Sequence, residues 1–247
     1  MHVLNSPRSW LAAPVLWFSG VVALLLVWAL NYPCPESWIQ RYFDNDGCSF
    51  VEAVTIGFFF LQIAFIWLFP PMAKGMRRVF WQVVFSLITL IAICRELDWH
   101  KAMIDVSAIP GATTGTPFKM RFLTNPANPL GDRLLVLSCF VLVIALCGGT
   151  LLYFIRKLWK GLFKLHPVCW SIAFLGGTCI LVQIVDRAPS VLRKKFGILL
   201  SGPAQSLLSV LEEGQELLLP LFVMLALVQA YFLYGEDEAQ SASSGGK

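Results

Sequence analysis

The stretch VFWQVVFSLITLIAICRELDWHKAMID, Val79 to Asp105, decides how the chain reads. Its first fifteen residues carry no charge, and then Arg95, Glu96, Asp98, His100, Lys101 and Asp105 follow within eleven. A run of that apolarity is a buried or membrane-spanning helix, and the charge burst marks the place where it leaves the bilayer or is enclosed by other helices. Composition decides for the membrane: 57% of the 247 residues are hydrophobic, 14% are charged and the mean hydropathy is +0.70, whereas soluble domains carry about 25% charge.

Working outward, six apolar runs are long enough to cross a hydrocarbon core of about 30 Å. They cover 10–31, 50–69, 79–96, 134–155, 168–186 and 205–234. The fold class expected is an all-α polytopic transmembrane bundle forming a single integral membrane domain over 1–247, with a long external loop at 98–132 and a disordered cytoplasmic tail at 235–247. The first run follows Arg8 but is too long for a signal peptide and lacks a small-x-small cleavage site, so it reads as a retained helix. No nucleic-acid motif accompanies the net charge of +4, which reflects membrane topology.

Two short basic loops free of acids, KGMRR (Lys74 to Arg78) and RKLWKGLFK (Arg156 to Lys164), orient the chain. By the positive-inside rule they lie in the cytoplasm, with both termini, and the protein belongs in a bacterial inner (plasma) membrane. Cys34 and Cys48 then share an external loop, where a disulfide is possible in an oxidising compartment, two free thiols being the alternative.

With this topology the ionisable residues at membrane depth gather on the external side: Glu52, the opening burst, Asp186 with Arg187, and the LEEGQELLLP turn holding Glu212, Glu213 and Glu216. A charge near mid-span costs roughly 2.5–3.5 kcal/mol on insertion scales. At about 100° per residue the three glutamates share one face of their helix, and that face is expected to look into the bundle. Pro220 removes the amide hydrogen that would bond the Glu216 carbonyl, and Gly214 loosens the same turn. Glu52, Asp186, Glu212, Glu213 and Glu216 are therefore candidate ligands for a cation or stores for protons. Neutralisation by Arg95, Lys119, Arg121 and Arg187 in a buried ion-pair network is the structural alternative.

His100 pairs with Glu96 at i,i+4 if the helix continues, and with Asp98 nearby these three are the candidate acid/base groups. One histidine on this face excludes a multi-histidine zinc site and suits magnesium, calcium or manganese better. In FKMRF (Phe118 to Phe122), an extended strand puts Lys119 and Arg121 on one side and the aromatic residues on the other. Those two, with Arg95, Lys101 and Arg187, are candidate phosphate ligands. The GGT repeats at 148–150 and 176–178 read as sites of close helix packing.

The set RELDWHK (Arg95 to Lys101), FKMRF, DR (Asp186, Arg187) and LEEGQELLLP (Leu211 to Pro220) resembles a family of uncharacterised bacterial polytopic inner-membrane proteins with RExDxHK, DR and EExxE motifs. The resemblance spans about Asp44 to Tyr234, implies the architecture and carries no activity. The chain departs from the ceramidase-like membrane hydrolases, which need several histidines around zinc. Three functions remain open: binding or processing a phosphate-bearing lipid or lipid-linked headgroup with a divalent cation, a non-catalytic scaffold for a membrane partner or homo-oligomer, and a proton- or cation-coupled transporter. A polar route across the cytoplasmic half, which the third would need, is not visible in the second and fourth spans.

Overall fold

The computed structural model describes residues 9–31, 42–43, 49–69, 76–97, 99 and 120–244, of which 120, 121 and 234–244 by their backbone alone. Among the described residues there is no strand. Six long helices, α1 (Ala12–Asn31), α2 (Phe50–Leu68), α3 (Met76–Glu96), α5 (Leu130–Phe163), α6 (Pro167–Phe196) and α7 (Gly202–Ser244), accompany one short helix, α4 (Met120–Thr124). All six long ones carry a window apolar and long enough to cross a bilayer. The expected all-α membrane bundle is what the chain forms. Helices answer the physical demand that lipid makes, since every backbone polar group there must find its partner within the segment.

The chain divides into two compact units, residues 1–82 with 157–247, and residues 83–156. In the first, α7 is the hub against which α1, α2 and α6 pack. Trp28 Nε1 donates to Ser206 Oγ at 3.1 Å, and Ala13 clusters with Leu218 and Phe222, so α1 runs antiparallel to α7. Val51 clusters with Val210 and Phe69 meets Tyr231 edge-on at 5.3 Å, so α2 runs parallel to it. Ser171 Oγ bonds Gln229 Oε1 at 2.7 Å and Phe174 lies 6.2 Å from Phe222, which sets α6 antiparallel. The end of α2 and the start of α6 therefore lie at the same end of this unit, and Arg77, Arg78 and Lys164 go with them.

Glycine permits the closest of these approaches. The methyl groups of Leu24 occupy the space that a side chain on Gly214 would fill, and a Cβ on Gly20 would come within 2.9 Å of Leu218. Gly214 thus serves as a notch for α1 rather than as a loosened turn. The GGT glycines do the opposite of what was expected: a Cβ at Gly148, Gly149, Gly176 or Gly177 would meet nothing within 4 Å. They permit no close packing.

Three helices outrun their apolar spans, α7 among them, which reaches Ser244 against an expected end at 234. α5 continues through the basic segment to Phe163 before a corner in which Leu165 adopts φ +53° and His166 N–H donates to Gly161 O at 2.9 Å. α6 passes through Pro189 and ends at Phe196, ten residues beyond the expected end at Asp186. Arg193, Lys194 and Lys195 in its last turn complement the helix dipole, and Gly197 at φ +68° closes it with Ile198 N–H on Leu192 O, a left-handed glycine stop. α7 likewise runs unbroken through Pro220.

In the second unit α3 and α5 meet where Phe85 stacks on Phe154 at 6.5 Å. At the other end of α5 the short α4 folds back so that Phe122 packs on Val136, with Leu123 and Phe140 beside them.

Candidate functional site

The carboxylate turn of α7 is partly buried in the first unit. Glu216 is only 5% exposed and its neighbour Gln215 3%, while Glu212 and Glu213 are half-buried. Contacts already described assign the sides of α7. Positions 206, 214 and 218 meet α1, and 222 and 229 meet α6. Gln215 stands one and two heptads before Phe222 and Gln229, so it shares their side, with its Oε1 buried and without a hydrogen-bond partner. Glu213, one heptad after Ser206, shares the α1 side, while Glu212 and Glu216 lie on a different side of the helix from both stripes. Among the described residues, no group of three or more His, Cys, Asp and Glu side chains is arranged to hold a metal ion.

Glu52 has a local task. Ser49 N–H donates to Glu52 Oε2 at 2.6 Å and Glu52 N–H to Ser49 Oγ at 3.1 Å, a capping box that closes the start of α2. The sequence signal for it is SxxE immediately before an apolar run, SFVE at 49–52, which membrane-level charge counting overlooked.

Asp186 and Arg187 are both exposed on the outer surface of α6, away from the stripe Ser171, Thr178, Val182 and Val185 that α6 buries. There Arg187 stands in an open groove lined mainly by apolar side chains, among them Ile180, Ile184 and Val191. These four recur at spacings of 4, 3 and 4 residues and form one stripe. The uncharged segment from Pro167 to Val185 spans 19 residues, about 28 Å of helix. Arg187 therefore stands where a hydrocarbon core would end.

In the second unit α3 ends at Glu96, with Arg95 exposed, Glu96 half-buried and Trp99 exposed. Asp98, His100, Lys101 and Lys119 lie outside the described residues, as do Cys34 and Cys48, and the side chain of Arg121 is likewise not described. FKMRF, expected to be extended, is helical from Met120. Asn128 explains why: its Nδ2 donates to Phe122 O at 2.8 Å, satisfying a carbonyl that so short a helix would leave open. Asn125 Oδ1 accepts from Ala127 N–H at 3.1 Å and shapes the turn that follows.

This corner holds two residues that the sequence reading missed. Arg133 lies on the same α5 face as Val136 and Phe140, at i, i+3 and i+7, so its stem runs toward the Phe122 cluster. Its Nε is buried without an acceptor, and Oδ1 of Asn128, a residue 4% exposed, is buried without a donor. The available signal was the uncharged stretch Leu134 to Ile155, 22 residues bracketed by Arg133 and Arg156.

No protein-family model, curated protein or solved structure matches the chain.

Proposed function

We propose that this chain, whose six membrane-length apolar helices support a multi-pass integral membrane protein, binds or processes a phosphate-bearing lipid or lipid-linked headgroup at the outer leaflet of a bacterial inner membrane. The observation that carries this is the α6 stripe: Ile180 and Ile184 along the hydrocarbon depth, then the exposed Arg187 where that depth ends, then Val191. An acyl chain lies along the first two, and a phosphate accepts from the guanidinium as a charge-assisted pair. Lys194, one heptad beyond Arg187 and also exposed, adds a second cation on that side. Native mass spectrometry of the gently extracted protein tests the proposal. A retained phospholipid that disappears in Arg187→Met supports it, and the same lipid complement in both proteins refutes it.

A proton- or cation-coupled transporter is the second reading. Gln62, Ser171 and Gln229 are buried toward the end of the first unit that carries Phe69 and Tyr231, so the half that looked apolar in sequence has polar side chains in its interior. Proton or cation flux into liposomes that is lost in Glu213→Gln would favour it over the lipid reading.

A further inference from the structure

The last two turns of α5 and the corner after them carry an exposed charged face, separate from the α6 stripe. From Lys157 to Phe163 the helix continues past its uncharged span as KLWKGLF, and Lys164 follows in the turn. At 100° per residue Trp159, Phe163, Lys160 and Lys157 succeed one another around an arc of about 160°. All four are exposed, Trp159 by 64% and Phe163 by 73%, and so is Lys164. The rings of Trp159 and Phe163 meet edge-on at 5.2 Å, which makes one apolar edge beside one cationic edge. Leu158, Gly161 and Leu162 fill the rest of the circumference and are half-buried.

The fold holds this face still. Cys169 Sγ occupies the space that a side chain on Gly161 would fill, and Trp170 Nε1 donates to Leu162 O at 3.2 Å. Lys164 N–H and His166 N–H both donate to Gly161 O, at 3.1 and 2.9 Å. Carbonyls that a helix end leaves open are thus answered within the corner, and the exposed arc is preorganised for a ligand. Trp170 also meets Trp10 at 5.2 Å, so Trp10, Trp159 and Trp170 gather at this end of the first unit. Tryptophan collects at the headgroup level of a bilayer, and lysine stems reach from apolar surface to the same level.

We infer that the arc of Lys157, Trp159, Lys160 and Phe163, with Lys164, is a retention site for anionic phospholipid in the leaflet at this end of the protein. The ammonium groups donate to the headgroup phosphate, and the Trp159–Phe163 edge lies against the upper part of the acyl chains. A zwitterionic headgroup brings a cation of its own to the lysines and is disfavoured. Arg187 stands toward the opposite end of α6, so this site serves the other leaflet and does not rest on the α6 proposal. Glu236, Asp237 and Glu238 continue α7 at the lysine end, so the full chain is the form to test.

The test is a native mass spectrometry titration of the full-length protein, delipidated in mild detergent, with dioleoylphosphatidylglycerol, dioleoylphosphatidylcholine and soluble glycerol 3-phosphate. Every protein carries Arg187→Met, which removes the contribution of the α6 stripe. Onto that background are placed the triple change Lys157→Gln, Lys160→Gln and Lys164→Gln, the single change Lys160→Gln, and the triple Lys→Arg counterpart. Each neutralised lysine at headgroup level is expected to weaken phosphatidylglycerol binding about fivefold, and the Gln triple about a hundredfold. Phosphatidylcholine binding stays unchanged throughout, and the Arg triple retains phosphatidylglycerol. Should the Gln triple fail to fold, the Lys160→Gln and Arg variants carry the same comparison. Equal affinity for the two lipids in the background protein overturns the inference. So does phosphatidylglycerol binding that stays within about twofold in folded Gln variants. Glycerol 3-phosphate bound as tightly as phosphatidylglycerol overturns the assignment to a lipid, because the apolar edge would then contribute nothing.

Discussion

α5 and α7 are both longer than a bilayer is thick, and α5 is the more apolar of the two. Yet 6% of the membrane window of α5 is buried, against 44% for α7. In water the greasier helix would be the better buried, because burial removes apolar surface from solvent. In lipid that force between helices is absent, and close packing and polar contacts hold them together instead. α7 is the hub because it carries what lipid cannot accept, Gln215, Glu216 and Gln229, and a notch at Gly214 that lets α1 approach. The apolarity of a membrane helix therefore reports what it can tolerate facing, and its exceptions report where it is held.

That contrast can be broken by matched substitutions on the two helices, each read as the thermal midpoint of the detergent-solubilised protein. The largest effect is expected from Gly214→Leu, whose side chain competes with Leu24 for one space; it should cost about 3 kcal/mol. Gly148→Leu on α5 meets open space and should change stability by less than about 0.5 kcal/mol. Equal losses at the two glycines would abolish the distinction between hub and periphery.

Next in size comes Gln229→Leu, which deprives the fully buried Ser171 hydroxyl of its partner and should cost about 1–3 kcal/mol. Ser138→Ala on α5 removes only an exposed bond to Leu135 O and should be close to neutral. A Ser138 effect as large as that of Gln229 would mean that α5 is held as firmly as α7.

Ser49→Ala should cost about 1 kcal/mol by opening the α2 cap, whereas Glu52→Gln keeps a side chain that can serve a capping box and should cost less. If Glu52→Gln instead proved the more damaging, the carboxylate would have a task beyond the cap. Smallest of all should be Ile144→Ala, on an exposed α5 position, with no measurable change in midpoint.

The positions of the six helices were legible because bilayer thickness imposes a length on every span. Their ends were less so. Asp186 and Arg187 looked like a terminus, but α6 continues past them to a stop built from Arg193 to Lys195 and Gly197, since a helix leaving hydrocarbon has no reason to end there. Charge at membrane depth drew attention to Glu52 and the glutamates of α7 together, although one closes a helix start and the others lie mid-hub. The burial of Arg133 Nε escaped notice because it is a property of neighbours brought in by α4 and its turn.

By itself the sequence determined that this chain lives in a membrane as α-helices, roughly where each span lies, and that the acids of α7 share a face. Those conclusions need only composition, helical period and the thickness of lipid. Which glycines matter and which helix becomes the hub were decided by tertiary structure. Each depends on distances between segments far apart in the chain, and no local periodicity encodes those.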